Sequence, residues 1–146
     1  MNFNELANQL ANSNSDTFWQ GGADTVQIEK LEQLLKAKLP TVFKEFLQTL
    51  GGGGVADSEI SGIEDNNATL DFGGTVYGDT LCAREDFELP EHLVVIFYKD
   101  DEICWCIDTC SSNEQIVSYD VFKQKVGPTI ANDFGEFFSD YVSRRL

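Results

Sequence analysis

Apolar positions in the first fifty residues recur at helical spacing. Phe3, Leu6 and Leu10 fall three and then four apart, which predicts a short helix over residues 3 to 12. The polar stretch SNSDTFWQGG reads as a loop that carries two large aromatics, Phe18 and Trp19. Asp24 then opens D-T-V-Q, an aspartate with glutamine three places on, which is close to a capping box. Ile28, Leu31 and Leu35 form one stripe on the helix that follows, and Leu39-Pro40 interrupts it. Pro40 suits the first turn of a second helix, where its missing N–H costs nothing. Val42, Phe43, Phe46, Leu47 and Leu50 supply that helix's buried face.

Beyond residue 54 the period changes. Residues 55 to 63 alternate loosely and predict a first strand, while residues 75 to 86 are ambiguous, with a helix as one reading. LVVIFY (93–98) and ICWCID (103–108) are nearly continuous apolar runs joined by Lys99-Asp100-Asp101-Glu102. They predict a hairpin of central strands covered on both faces. QIVSY (115–119) is a third neighbouring strand. Ile130, Phe134, Phe137, Phe138 and Tyr141 return to helical spacing and predict a closing helix. Helices, then strands, then a helix make an α+β fold. The expectation is one domain over residues 1–146: N-terminal helices, a central, mostly antiparallel twisted sheet, and a C-terminal helix packed on it. Residues 1–23 read as a helix and loop extension.

The run of four glycines, Gly51 to Gly54, raises the question of a phosphate loop. Such a loop needs strand, glycines, Lys-Ser/Thr and helix in that order, so that N–H groups face the phosphate. Here a helix comes first and Val55-Ala56-Asp57 follows. Gly51 and Gly52 therefore read as structural, a left-handed helix stop, together with Pro40 at the helix start.

Charge changes the picture more than composition does. The formal net charge is −15, and residues 51 to 120 hold sixteen acids against only Arg84 and Lys99. A field of that sign repels nucleic acid and anionic membrane and attracts basic partners. The four cysteines (Cys82, Cys104, Cys106, Cys110) read as small buried hydrophobes, because C-x-C-x3-C is not a usual zinc spacing. His92 is the only histidine and has no G-x-S-x-G elbow to serve. No catalytic group, metal or cofactor is expected. The start, MNFNELANQL, lacks a signal peptide's charged and apolar regions, and LVVIFY is too short to span a bilayer. The chain reads as cytoplasmic.

The assembled pattern resembles the SUKH superfamily, the Smi–Knr type cell-wall-regulator-like proteins and their bacterial immunity-protein members. The family pattern is an acid-bearing helix, LP, an aromatic, FL and Asn-Gly-Gly. This chain has IEKLEQLLKAKLPTVFKEFLQTLGGG, with Leu39-Pro40, Phe43, Phe46-Leu47 and Gly51-Gly52-Gly53 in those places. HLVVIFYKDDEICWCID, QIVSYD and the final Phe134-Gly135-Glu136-Phe137-Phe138 continue the match, which runs over about residues 25 to 143. The family asparagine is Gly51 here, an exchange between the two residues that best tolerate a left-handed cap.

The resemblance implies binding rather than catalysis: an immunity protein that neutralises a cognate secreted toxin by stoichiometric blocking. Charge adds the expectation that the toxin is a basic nuclease domain. The alternative is a regulatory or scaffold interaction module with no toxin partner. Candidate contact residues are Glu64, Asp65, Tyr77, Asp79, Glu85, Asp86, Asp100, Asp101 and Glu102, with Phe18 and Trp19 as further aromatic anchors.

Overall fold

The computed structural model describes residues 1–13 and 15–146. Its first helix, α1 (Phe3–Ala11), starts where the Asn2 side chain accepts the Glu5 N–H at 3.0 Å. The second, α2 (Thr25–Leu35), starts where Asp24 accepts the Gln27 N–H at 2.9 Å. Gln27 does not reach back to complete a capping box; its side-chain oxygen takes the Ala68 N–H at 2.9 Å and ties down a distant loop. Glu32, buried on α2, accepts the Leu39 N–H at 2.7 Å and lies 3.8 Å from Lys44 Nζ, which fixes the turn into α3 (Thr41–Thr49). Pro40 stands just ahead of that helix at φ −60°.

The glycines after α3 do more than end it. Gly51 sits at φ +76° and donates its N–H to Phe46, but Gly53 and Gly54 belong to a short strand, β2 (Gly53–Val55). Its antiparallel partner is β1 (Thr17–Trp19), with Phe18 opposite Gly54. The strand expected at 55–63 is therefore displaced: only Val55 belongs to β2, a turn follows at Ala56-Asp57, and beyond it Ile60 is bridged to Gly53 and Gly62 to Thr75. The loop expected before Asp24 likewise contains a strand. Backbones meet here too closely for side chains: a Cβ at Gly62 would run into the Gly51 carbonyl oxygen and the Cα of Gly52.

Helix α4 (Val76–Phe87) follows, capped by Thr75, whose Oγ1 accepts the Gly78 N–H at 2.9 Å. The main sheet has the order β3-β4-β5-β6, all antiparallel: β3 (Leu93–Lys99), β4 (Ile103–Asp108), β5 (Ile116–Asp120) and β6 (Lys125–Ala131). Two expectations are corrected. Strand β3 is an edge strand, not a central one; the Val95 N–H goes to Thr80 Oγ1 at 3.0 Å and the Ile96 carbonyl takes the Ser61 N–H at 2.8 Å, so the edge is covered. Ile130 lies in β6 rather than in the closing helix α5 (Phe134–Ser143). Gly127-Pro128 makes that strand read as a loop, and proline is tolerated there because β6 is the other edge.

Alternation in the strands sorts the core into two layers. Val94, Ile96, Ile107 and Ile116 face α1, α2, α3 and α5, where Phe3, Phe43, Phe46, Phe134 and Phe138 form an aromatic cluster. Leu93, Val95, Cys104, Cys106, Val117 and Tyr119 face Ala83 and Leu89 on the other side. The expectation of four buried cysteines holds for two: Cys104 and Cys106 are buried, Cys82 and Cys110 exposed, and all four are free thiols. Among the described residues no helix is long and apolar enough to cross a membrane.

Candidate functional site: an acidic pocket beside the glycine seam

The loop between β2 and α4 is stitched on every side by backbone hydrogen bonds. Gly53 and Ile60 exchange N–H groups at 2.8 Å, Ile63 donates to Gly51 at 2.8 Å, and Val76 donates to Gly62 at 2.9 Å. Between this loop, β1 and the end of β3 lies a pocket of about 440 Å³, with Phe18, Tyr98 and Gly74 on its walls. Its charged groups are Glu59, Glu64 and Asp79, with no lysine or arginine among the lining residues.

Asp79 stands in the first turn of α4, where the helix dipole favours an acid. It is 8% exposed, and its carboxylate accepts Ser61 Oγ at 2.6 Å and the Gly74 N–H at 3.3 Å. Burial raises its pKa, and the bonds from Ser61 and Gly74 oppose that rise. Glu64 is raised as well, first by burial and then by the charges of Asp65 and Asp79, while Gln20 donates to it at 3.2 Å. Glycine at position 74 keeps this wall thin, since a Cβ there would sit 3.3 Å from Glu64 Oε1.

The acidity continues out of the pocket along α4. Cys82 lies among Asp79, Glu85 and Asp86 and donates to Asp86 at 3.3 Å; burial first, then that bond and those charges, push its thiol up. The Tyr98 phenol is pushed up to about 12, chiefly by burial and then by Asp101 and Cys82. Tyr98 is therefore the hinge between the pocket, α4 and the hairpin tip, where Asp100 and Asp101 take left-handed φ of 57° and 54°.

Of the residues singled out in the sequence, Glu64, Asp65, Asp79, Glu85, Asp86 and Asp101 come together on this face. Asp100 is exposed beside Asp101 at the tip. Glu102 turns away, into a groove with Phe122 and Lys125. Tyr77 is half-buried against the main core, and Trp19 meets Phe138 edge-on. Phe18, in contrast, is 64% exposed at the pocket mouth. Glu59 and Tyr98 were missed: Glu59 lies in a segment whose pattern suggests only a strand, and Tyr98 looks like the end of one. His92 lies elsewhere, its Nε2 3.9 Å from Asp108.

A larger groove of about 840 Å³ between α2 and α3 carries Lys36, Lys38 and Lys44 against Glu29, Glu32 and Glu45, a balance that selects no sign of partner. Among the described residues no group of three or more His, Cys, Asp or Glu is arranged to hold a metal ion. What the acidic pocket offers is room and charge for a cationic side chain, with an aromatic rim to pack on its stem.

Comparison with known families finds a match over nearly the whole chain. A match to SUKH_5, described as SMI1-KNR4 cell-wall, runs over residues 3–143 and takes in every element from α1 to α5. The chain belongs to the SUKH_5 family.

Proposed function

We propose that this chain is an immunity protein that binds a cognate secreted bacterial toxin, with a basic nuclease domain as the class that fits, and blocks it by stoichiometric occupation. The observation that carries the proposal is the continuous acidic face from Glu59 and Glu64 through Asp79 to Glu85, Asp86 and Asp101, set around a pocket with no base in it. A field of sixteen acids against two bases in residues 51 to 120 steers a basic domain toward that face. In the pocket, two carboxylates with raised pKa values are costly as bare anions, and an arriving lysine or arginine relieves that cost. Asp79 is turned inward, so it polarises the pocket rather than forming its outer contact; Glu59, Glu64 and Phe18 make the first contacts.

The test is capture of the product of the neighbouring gene, measured as a complex and as loss of toxicity. A 1:1 complex is expected, with an on-rate that falls steeply with salt. Reversal of Glu64, Glu85 and Asp86 to lysine should weaken capture about a hundredfold or more. Unchanged capture by that triple variant would remove the acidic face from the mechanism. The family description also favours a second reading, a regulatory protein-interaction module of the cell-wall type. A neighbouring gene product without a toxin domain, bound through the same face, would decide for it.

A further inference from the structure

A second cleft, of about 450 Å³, opens between the end of α5 and the sheet. Its floor is apolar and aromatic: Trp105, Phe137 and Tyr141, with Ile130 beside them. Trp105 stacks on Phe97 with ring centroids 5.0 Å apart and receives Phe137 edge-on at 6.0 Å, so the floor is rigid. Its rim is cationic. Lys99, Arg144 and Arg145 line it, and Asp140 is the only acid that does. In a chain with twenty-five acids and ten lysines and arginines, that ratio is inverted.

The three bases are not there to neutralise neighbours, since none forms an ion pair among the described residues. One of them is held in place. Arg145 lies 3.7 Å over the Tyr141 ring, with Nε donating to Ser58 Oγ at 3.2 Å and Nη1 to the Tyr141 carbonyl at 2.9 Å. Its second terminal nitrogen, Nη2, has no protein partner among the described residues. Tyr141 is fixed in turn, its hydroxyl accepting the Val55 N–H at 2.9 Å and donating to Ser58 O at 2.7 Å.

We propose that this cleft binds a small aromatic carboxylate, its ring against Trp105 and Tyr141 and its carboxylate among Lys99, Arg144 and Arg145. An apolar floor with a few convergent polar groups, in a volume of this order, is the build of a small-molecule site. A guanidinium is suited to a carboxylate, and a polyanion would meet the repulsion of a chain at −15. The site is independent of the toxin-binding proposal and lies on the other side of the Val55–Ser58 turn.

The experiment is a titration of the full ¹⁵N-labelled chain with naphthalene-2-carboxylate, following the indole N–H signals of its two tryptophans. The Trp105 signal should move and saturate while that of Trp19 stays. Naphthalene-2-methanol, the neutral analogue, should bind at least about tenfold more weakly to the same protein. Lys99→Glu with Arg144→Glu should weaken the acid by a similar factor, with the rest of the spectrum unchanged as proof of folding. An unmoved Trp105 signal at millimolar acid overturns the proposal. So does equal binding of the neutral analogue, or unchanged affinity in the double variant.

Discussion

Two pockets of nearly equal size lie on either side of the Val55–Ser61 segment, with opposite charge and different construction. The acidic one is walled by backbone: Gly53, Gly73 and Gly74 line it, and its carboxylates arrive from loops and from the first turn of α4. The cationic one is walled by side chains from α5, β4 and β6, with aromatic rings as its floor. A backbone-walled pocket holds its shape only if the chain closes on itself at fixed points. A side-chain floor tolerates repacking better. The first is thus vulnerable in its glycines, and the second in its hydrogen bonds and charges.

The largest expected effect follows from that contrast. Gly62→Ala forces a Cβ into the Gly51 carbonyl and Gly52 and should cost about 4 kcal/mol or more in urea unfolding. Gly73→Ala, at the same pocket but facing open space, should stay within about 0.5 kcal/mol. Equal costs would mean that the seam does not hold the pocket.

Next comes the separation of the two charges in binding. Whereas the acidic triple reversal should cost about a hundredfold in toxin capture, Lys99→Glu with Arg144→Glu should leave it within about twofold. A large loss in the basic double variant would merge the two sites into one interface.

Tyr141→Phe is smaller again. It strands the Val55 N–H and the Ser58 carbonyl, and should cost about 1–3 kcal/mol.

The smallest effect is a pH dependence. Asp79 has a raised folded pKa, so its folded state takes up a proton more readily than the unfolded chain does. Its contribution to stability therefore grows as pH falls through that raised value. Asp79→Asn should be more stable than the parent above this range, and the two should converge below it, in thermal melts at several pH values. Capture of a cationic partner should weaken as pH falls in both, and more in the parent, because Glu64 still titrates in the variant.

The parts of the fold legible in the sequence are those where one periodicity operates. The α2 and α3 stripes and the β3–β4 hairpin are of that kind. Helix α4 was ambiguous because its buried face carries Asp79 and Thr80, polar groups engaged by Ser61 and by the edge of β3. Strand β6 was hidden by Gly127-Pro128, and β1 by its three-residue length. For the site, the acidity of residues 51 to 120 was visible as a count. The pocket was not, because it needs Phe18, Glu59, Asp79 and Tyr98 brought together by pairings that no local pattern encodes. The cationic cleft was less visible still, its bases divided between Lys99 and the C-terminal pair.

The packing of Phe3 against Phe46 and Phe138 has a consequence for how the chain is made. Helix α1 is synthesised well before α5, which forms part of its binding surface. Until α5 emerges, the aromatic cluster lacks one wall, and Val55 lacks the Tyr141 hydroxyl. Tertiary closure thus waits for α5, and a nascent chain stalled before residue 134 should remain sensitive to protease along its whole exposed length.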